Sequence, residues 1–74
     1  MKHTLITDYG FMYMEDPERV WVMMRGMGGY SLMYEDAIYS QRKIYSSYNR
    51  ELLLDLRDTI LEGIANGEKR IDVR

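Results

Sequence analysis

The chain has 74 residues, 46% of them hydrophobic and 30% charged, with no cysteine, one histidine and a formal net charge of -2. A chain of this length buries about 60 to 65% of its unfolded surface, so we expect one domain over residues 1–74 and exclude a two-domain enzyme. Without cysteine, disulfide bonds and thiolate metal sites are excluded. The missing disulfides, with no apolar leader or membrane-spanning stretch, predict a cytoplasmic protein.

A large share of the hydrophobic residues is aromatic or methionine. Seven Tyr, seven Met, one Trp and one Phe equal in number all the Val, Ile and Leu residues together. Tyr and Trp combine apolar area with a polar group, Met adapts to irregular surfaces, and all three are enriched at protein interfaces. Half-buried faces of a small domain use the same residue types, so this composition fits a binding role and a structural role alike.

The first third of the chain is rich in β-branched and aromatic residues and predicts strands. Three runs carry this pattern: Thr4–Thr7, Phe11–Met14 and Val20–Met24. The acidic segment Glu15–Arg19 separates the last two runs, and its Asp-Pro pair suits a turn, so we predict an antiparallel hairpin across it. The alternative is a helix capped by Asp16 and ended by Gly26, because the third run also fits helical spacing.

A glycine cluster, Gly26–Gly29, follows the third run. Such a cluster reverses the chain direction, and before a helix it could also offer backbone N–H groups to a phosphate. It lacks the Lys-Ser/Thr ending of a nucleotide-binding loop. The sequence therefore predicts a chain reversal here and no cofactor.

The middle of the chain has the hydrophobic period of a helix. Between Leu32 and Tyr45 the apolar side chains fall on one helical face, with Glu35 and Asp36 near the start and basic residues near the end. This arrangement predicts an amphipathic helix with Ser31 as its N-cap. The alternative is two strands, Tyr30–Tyr34 and Ile38–Tyr45, since Tyr and Ile also favour sheets.

The last third predicts a second helix, from Asn49 to Ala65. Ser47 or Asn49 can cap its start, the pair Asn66-Gly67 is a left-handed stop, and the alternating segment Glu68–Val73 predicts an edge strand. The predicted fold class is therefore α+β, with an N-terminal antiparallel β-hairpin, two helices and a short C-terminal edge strand. The alternative is a β-meander with one long C-terminal helix.

The apolar arc of this last helix is wider than one sheet contact requires. The main stripe comprises Leu52, Leu53, Leu56, Ile60 and Ile64. Leu54 and Leu61 form a second seam, displaced by about 100° around the helix. Either the helix is wedged between the sheet and the preceding helix, or the second seam contacts another chain, as in a homodimer.

Side chains suited to catalysis or metal binding are few. The single imidazole, His3, belongs to a terminus that we predict to be mobile, and the serines fit capping or exposed positions. Asp55, Asp58 and Glu62 share one helix face, which is typical of a solvated surface. We therefore expect no catalytic residue, no metal site and no enzymatic activity.

Charge and aromatic residues indicate a protein partner. Glu15, Asp16 and Glu18 form a compact negative turn, flanked by Tyr13 and Trp21, that could dock against arginines. To these candidate partner-binding residues we add Tyr39, Leu54 and Leu61. The predicted function is a non-catalytic interaction module: a stoichiometric inhibitor or regulator of a larger intracellular complex, of the kind that phages and other mobile elements direct against host defence.

The alternative function is single-stranded nucleic-acid binding. From Ala37 onward the chain carries seven basic and six acidic residues, and before it three basic and six acidic residues. A surplus of one positive charge is too small to drive binding by counterion release, although Tyr9 and Tyr39 could stack on bases. The charge pattern therefore favours a protein partner over nucleic acid.

Overall fold

The computed structural model describes all 74 residues, as six strands and one helix. In chain order these are β1 (Lys2–Thr7), β2 (Gly10–Glu15), β3 (Arg19–Met24), β4 (Tyr30–Glu35), β5 (Gln41–Ser47), α1 (Arg50–Ala65) and β6 (Arg70–Asp72). The α+β class is confirmed. The helix α1 is too short and too polar to cross a lipid bilayer.

The strands form two three-stranded sheets. In the first sheet, ordered β2-β1-β6, the central strand β1 pairs antiparallel with β2 and parallel with β6. In the second sheet, ordered β3-β4-β5, all neighbours are antiparallel. Side chains alternate between a buried and an outer face, as strand geometry requires: His3, Leu5 and Thr7 are buried on β1.

Both sheets and the helix contribute to one hydrophobic core. Its buried members are Leu5, Met14, Val20, Leu32, Tyr34, Ile44, Leu53, Ile60 and Ile71. The Tyr34 hydroxyl of β4 donates a hydrogen bond to the Tyr13 carbonyl of β2, at 3.2 Å, and so joins the two sheets directly. Tyr34 thus combines a buried ring with a polar group that finds a partner.

The C-terminal helix is formed and ended as the sequence predicts. Asn49 is the N-cap, its side chain accepting a hydrogen bond from the Leu52 N–H, and Gly67 takes the left-handed conformation after the helix, with φ of 69°. Gly63 faces β6 so closely that an added Cβ would lie 2.8 Å from Ile71 Cγ1. The edge strand is confirmed in the shorter form Arg70–Asp72.

The predicted helix from Leu32 to Tyr45 is wrong, and the alternative of one helix with a β-meander fits better. This stretch forms β4, a turn and β5. An irregularity in the β4–β5 ladder pairs Leu32 with Tyr45 and Met33 with Lys43, so Ile44 is an extra residue on β5. Such a bulge interrupts strand alternation, and the interrupted pattern resembles helical spacing.

The hairpin predicted across Glu15–Arg19 is also wrong. β2 pairs with β1 and β3 pairs with β4, so the acidic segment connects the two sheets. The N-terminal hairpin instead turns at Asp8-Tyr9, where the Tyr9 N–H donates to Thr7 Oγ1 at 3.2 Å. The glycine cluster does reverse the chain, between β3 and β4, but a strand and not a helix follows it.

Candidate protein-binding surface

Two turns meet at one end of the molecule and enclose a recess. Glu15 at the end of β2 and Asp16 just after it form one side, and the β4–β5 turn contributes Asp36, Ala37 and Ile38. The recess has a volume of about 140 Å³. We call these five residues the acidic recess, because three of them carry a carboxylate.

The β4–β5 turn is held by hydrogen bonds centred on Asp36. Its carboxylate accepts from the N–H groups of Ile38 and Ser40, at 3.1 and 2.9 Å, and its carbonyl accepts from the Tyr39 N–H at 3.0 Å. An Asp side chain that bonds to the following backbone in this way fixes a turn. As a result Ile38 and Tyr39 project outward, 81% and 80% exposed.

Backbone strain is confined to the same two turns. Among non-glycine residues only Asp16, with φ of 45°, and Tyr39, with φ of 63°, have positive φ. Asp tolerates this region because its short side chain can bond locally, whereas a bulky Tyr is uncommon there. Strained positions of this kind cluster at functional sites. The positive φ at Tyr39 closes the hairpin turn, since the Tyr39 N–H bonds to the Asp36 carbonyl and the Asp36 N–H bonds to the Ser40 carbonyl. The turn explains the conformation but not the choice of a large aromatic residue at this position.

The carboxylates at this end differ in their partners. Asp16 contacts the N-terminal amino group of Met1. Asp36 bonds only to backbone N–H groups, and Glu15 and Glu18 form no ion pair. The recess therefore presents two carboxylates, those of Glu15 and Asp36, that form no ion pair within the protein.

Charge and burial also act on Tyr34, which lies near the recess. Burial raises the pKa of Tyr34 above its ordinary value of 10.0, while Arg42 lowers it and Asp36 raises it further. The Tyr34 hydroxyl is therefore protonated near pH 7 and can donate the hydrogen bond that joins the two sheets.

Tyr13 and Trp21, predicted to flank the acidic turn, lie on separate surfaces. Tyr13 is 53% exposed on the outer face of the first sheet, with Lys2 Nζ 4.0 Å from its ring centre and Phe11 edge-on at 5.5 Å. Trp21 is half-buried on the outer face of the second sheet, covered by the Arg19 guanidinium at 4.0 Å. Only Tyr13 is continuous with the recess, through Glu15.

The remaining candidates are divided between the recess and the helix. Tyr39 belongs to the β4–β5 turn beside the recess, and Glu18 is exposed on the connecting segment. On α1, Leu54 is half-buried and Leu61 is 40% exposed, and neither belongs to the core cluster or packs against it. There is no preceding helix against which this seam could be wedged, so the first of the two readings of the seam is wrong.

The prediction of a mobile His3 is wrong as well. His3 is buried on β1, and its Nδ1 lies against the carbonyl oxygen of Glu68, where an N–H donor is required. This contact ties the first strand to the segment that precedes β6. No group of three or more His, Asp or Glu side chains is arranged to hold a metal ion.

Sequence reasoning missed Asp36, Ala37 and Ile38 as members of the candidate site. The apolar spacing between Leu32 and Tyr45 places these residues inside a predicted helix, with Ile38 on its apolar face. The signal that could have found them is the sequence Asp-Ala-Ile-Tyr-Ser between two Tyr-rich runs, since Asp and Ser favour turns. The helix-like spacing of the apolar residues on either side outweighs this turn signal.

A second concave feature lies at the opposite end of the first sheet, where β1 ends and β2 begins. This apolar cleft has a volume of about 120 Å³ and is lined by Thr7, Asp8, Ile44, Tyr45, Leu52, Leu56, Val73 and Arg74. The Tyr9 ring lies 5.3 Å from that of Tyr45. The pKa of Tyr45 is raised, chiefly by side-chain hydrogen bonding with Tyr9 and also by Asp8.

Comparison with known proteins adds no family to this description. No protein-family model, no curated protein and no solved structure matches the chain. The two concave ends and the exposed side chains around them are the features that bear on function.

Proposed function

We propose that the protein is a non-catalytic interaction module that inhibits or regulates a larger intracellular protein, one for one, by covering a basic surface of it with the acidic recess. The observation that carries this proposal is the convergence of Glu15, Asp16 and Asp36 around a concave site beside exposed Ile38 and Tyr39. Five residues from two distant parts of the chain thereby form one continuous surface.

The chemistry of the recess fits an arginine or lysine side chain of the partner. Glu15 and Asp36 form no ion pair within the protein, although Lys2 is the cross-strand neighbour of Glu15. An arginine of the partner can donate charge-assisted hydrogen bonds to both carboxylates. Ile38 and Tyr39 supply apolar contact at the edge, where large side chains exclude water from the charged contact. Binding energy then comes from a charged centre with an apolar border.

The strain at Tyr39 supports the same assignment. A left-handed Tyr costs on the order of 1 kcal/mol relative to a residue that tolerates positive φ. The turn keeps a large exposed aromatic side chain at this cost, although Asn or Gly would hold the turn more easily. Contact with a partner is a reason to keep it.

The test is affinity capture from the cell of origin with two charge-matched baits. Glu15→Lys with Glu18→Lys alters the acidic end, and Asp55→Lys with Glu62→Lys makes the same change of net charge on the exposed face of α1. We expect wild type and the helix variant to retain one protein in a one-to-one complex on size exclusion, with the acidic-end variant losing it.

The proposal fails if the captured protein is retained by the acidic-end variant, or lost equally from both variants. A species in the wild-type sample that grows with protein concentration in the absence of lysate would instead indicate a homodimer, for which the seam of Leu54 and Leu61 is the candidate surface. The variant Leu61→Ser then distinguishes that seam from the recess.

A second candidate is single-stranded nucleic-acid binding on the outer face of the first sheet. Exposed Phe11 and Tyr13 lie side by side there, and sheet aromatics of this kind stack on bases. The face carries Lys2 and Arg70 against Glu15 and Asp72, so it offers phosphates no excess of positive charge. Salt-sensitive binding of labelled oligonucleotides, lost in Phe11→Ala, would favour this candidate over the first.

A further inference from the structure

The apolar cleft is a separate site whose walls come from every layer of the fold. Ile44 and Tyr45 of β5 form one wall, Leu52 and Leu56 of α1 form another, and Val73 follows β6. The cleft opens beside the Asp8-Tyr9 turn, at the end of the first sheet remote from the acidic recess. Nothing assigned to the recess uses these side chains.

The size and lining of the cleft suit one aromatic ring. Its volume of about 120 Å³ is similar to that of an apolar protein cavity of about 150 Å³ that holds benzene. The Tyr45 ring, tilted by 31° against Tyr9, supplies an aromatic wall. Aromatic rings prefer tilted or offset partners, so a bound ring gains contact beyond the area it buries.

The charges at the mouth of the cleft select among substituted rings. The Arg74 guanidinium donates to both carboxylate oxygens of Asp72, at 3.1 and 2.8 Å, and is thereby neutralised. Asp8 forms no ion pair, although its charge is one cause of the raised pKa of Arg74. Because the Arg74 guanidinium bonds to Asp72 and not to Asp8, the Asp8 carboxylate is left open to a cationic substituent and repels a carboxylate.

We propose that the apolar cleft binds a small aromatic amine, with its ring between β5 and α1 and its ammonium group facing Asp8. The ligand class is defined by two features that act together: an apolar cleft of single-ring size and an unpaired carboxylate at its mouth. This site is independent of the acidic recess, so either assignment can fail while the other holds.

The experiment is an NMR titration of the full chain with two probes of equal size and opposite charge, benzylamine and benzoate, at neutral pH. We expect benzylamine to shift the signals of the cleft residues and to bind about fivefold more tightly than benzoate, the upper range for an exposed ion pair. Asp8→Asn should remove this preference, and the control Asp55→Asn, on the exposed face of α1, should keep it.

A filling variant tests whether the ring enters the cleft. Val73→Phe, or Leu52→Phe from the opposite wall, should abolish the shifts of both probes while the circular dichroism spectrum stays native. The proposal is overturned if benzoate binds as tightly as benzylamine, if the shifts map outside the cleft, or if both folded filling variants bind like wild type.

Discussion

The two ends of the molecule are built differently. The acidic recess is made by turns, with strained backbone at Asp16 and Tyr39 and exposed side chains on its rim. The apolar cleft is made mainly by β5, α1 and the residues beside β1 and β6, and its aliphatic side chains pack toward the core. One small core thus supports a charged end suited to a macromolecular partner and an apolar end suited to a small group.

Because of this difference, we expect the residues that stabilise the fold and the residues that bind a partner to lie in different parts of the molecule. The core depends on the packing of β6 against α1, whereas the recess end depends on hydrogen bonds within turns and on the link from Tyr34 to Tyr13. Substitutions at the two ends should therefore have effects of different kinds.

The largest effect on stability is expected at Gly63, where α1 meets β6. Gly63→Val would place methyl groups against the buried side chain of Ile71 and force it to shift within the core, so we expect a loss of about 2 to 3 kcal/mol in the free energy of unfolding. Urea denaturation measures it. The control Ala65→Val, at an exposed position of the same helix, should cost well under half as much.

A loss comparable to the control would show that β6 docks loosely, and the contrast between a packed end and a turn-built end would then fail. In the folded fraction of Gly63→Val, capture of the protein partner should persist, because the recess does not depend on β6.

The second effect concerns the link between the sheets at the recess end. Tyr34→Phe leaves the Tyr13 carbonyl without its donor, and we expect a loss of about 1 kcal/mol. Because burial raises the pKa of Tyr34 above 10.0, the folded phenol stays protonated where the unfolded one ionises. The stabilising contribution is therefore fully present below pH 10 and is lost as the pH rises from 10 through the higher pKa of the folded state.

Urea denaturation between pH 7 and 11 checks this prediction. The stability of wild type should fall toward that of Tyr34→Phe as the pH passes 10, and parallel curves for the two proteins would disprove the assigned role of the hydroxyl.

A third effect has the opposite sign. Tyr39→Asn replaces a strained aromatic residue by one that tolerates positive φ, so we expect stability to rise by about 0.5 to 1 kcal/mol while affinity for the protein partner falls. Thermal unfolding and a binding titration measure the two changes. Met27→Asn, at an exposed hydrophobic residue without positive φ, is the control and should change neither.

If Tyr39→Asn is more stable and binds equally well, the strain is unrelated to binding and one support for the recess is lost. If it is less stable, the aromatic ring has a structural contact that the exposed geometry does not reveal.

The smallest effect is local to the mouth of the cleft. Hydrogen bonds from Arg74 lower the pKa of Asp72 from 3.8 to about 2. NMR titration should find this value in wild type and an ordinary value in Arg74→Ala. Since the folded pKa is depressed, the pair contributes above the unfolded pKa and is lost as the pH falls toward 2. An ordinary pKa in wild type would mean that Arg74 is free to compete with a ligand for Asp8.

How far the sequence predicts this molecule depends on whether a signal is local. The cap at Asn49, the stop at Gly67 and the edge strand were predictable, because capping and termination depend on neighbouring residues. The stretch from Leu32 to Tyr45 was not, because a bulge that forms only through pairing with another strand disturbed its alternation. The local sequence around Glu15–Arg19 likewise does not indicate that β2 pairs with β1 and β3 with β4.

The sequence predicts one of the two sides of the candidate site. The charges of Glu15, Asp16 and Glu18 are evident in the sequence, but the second turn that completes the recess lies twenty residues further on. Only the pairing of β3 with β4 and of β4 with β5 brings Asp36 and Ile38 beside Glu15. Trp21, a predicted neighbour of the acidic turn, lies on the outer face of the second sheet because β3 pairs with β4 and not with β2.

The most direct test of the protein-binding account is the dissociation constant of the captured partner, measured by calorimetry at equal ionic strength for the two charge-matched variants. The account predicts that Glu15→Lys with Glu18→Lys weakens binding at least about tenfold, equivalent to about 1.4 kcal/mol, while Asp55→Lys with Glu62→Lys stays near wild type. Equal affinities of the two variants would contradict it.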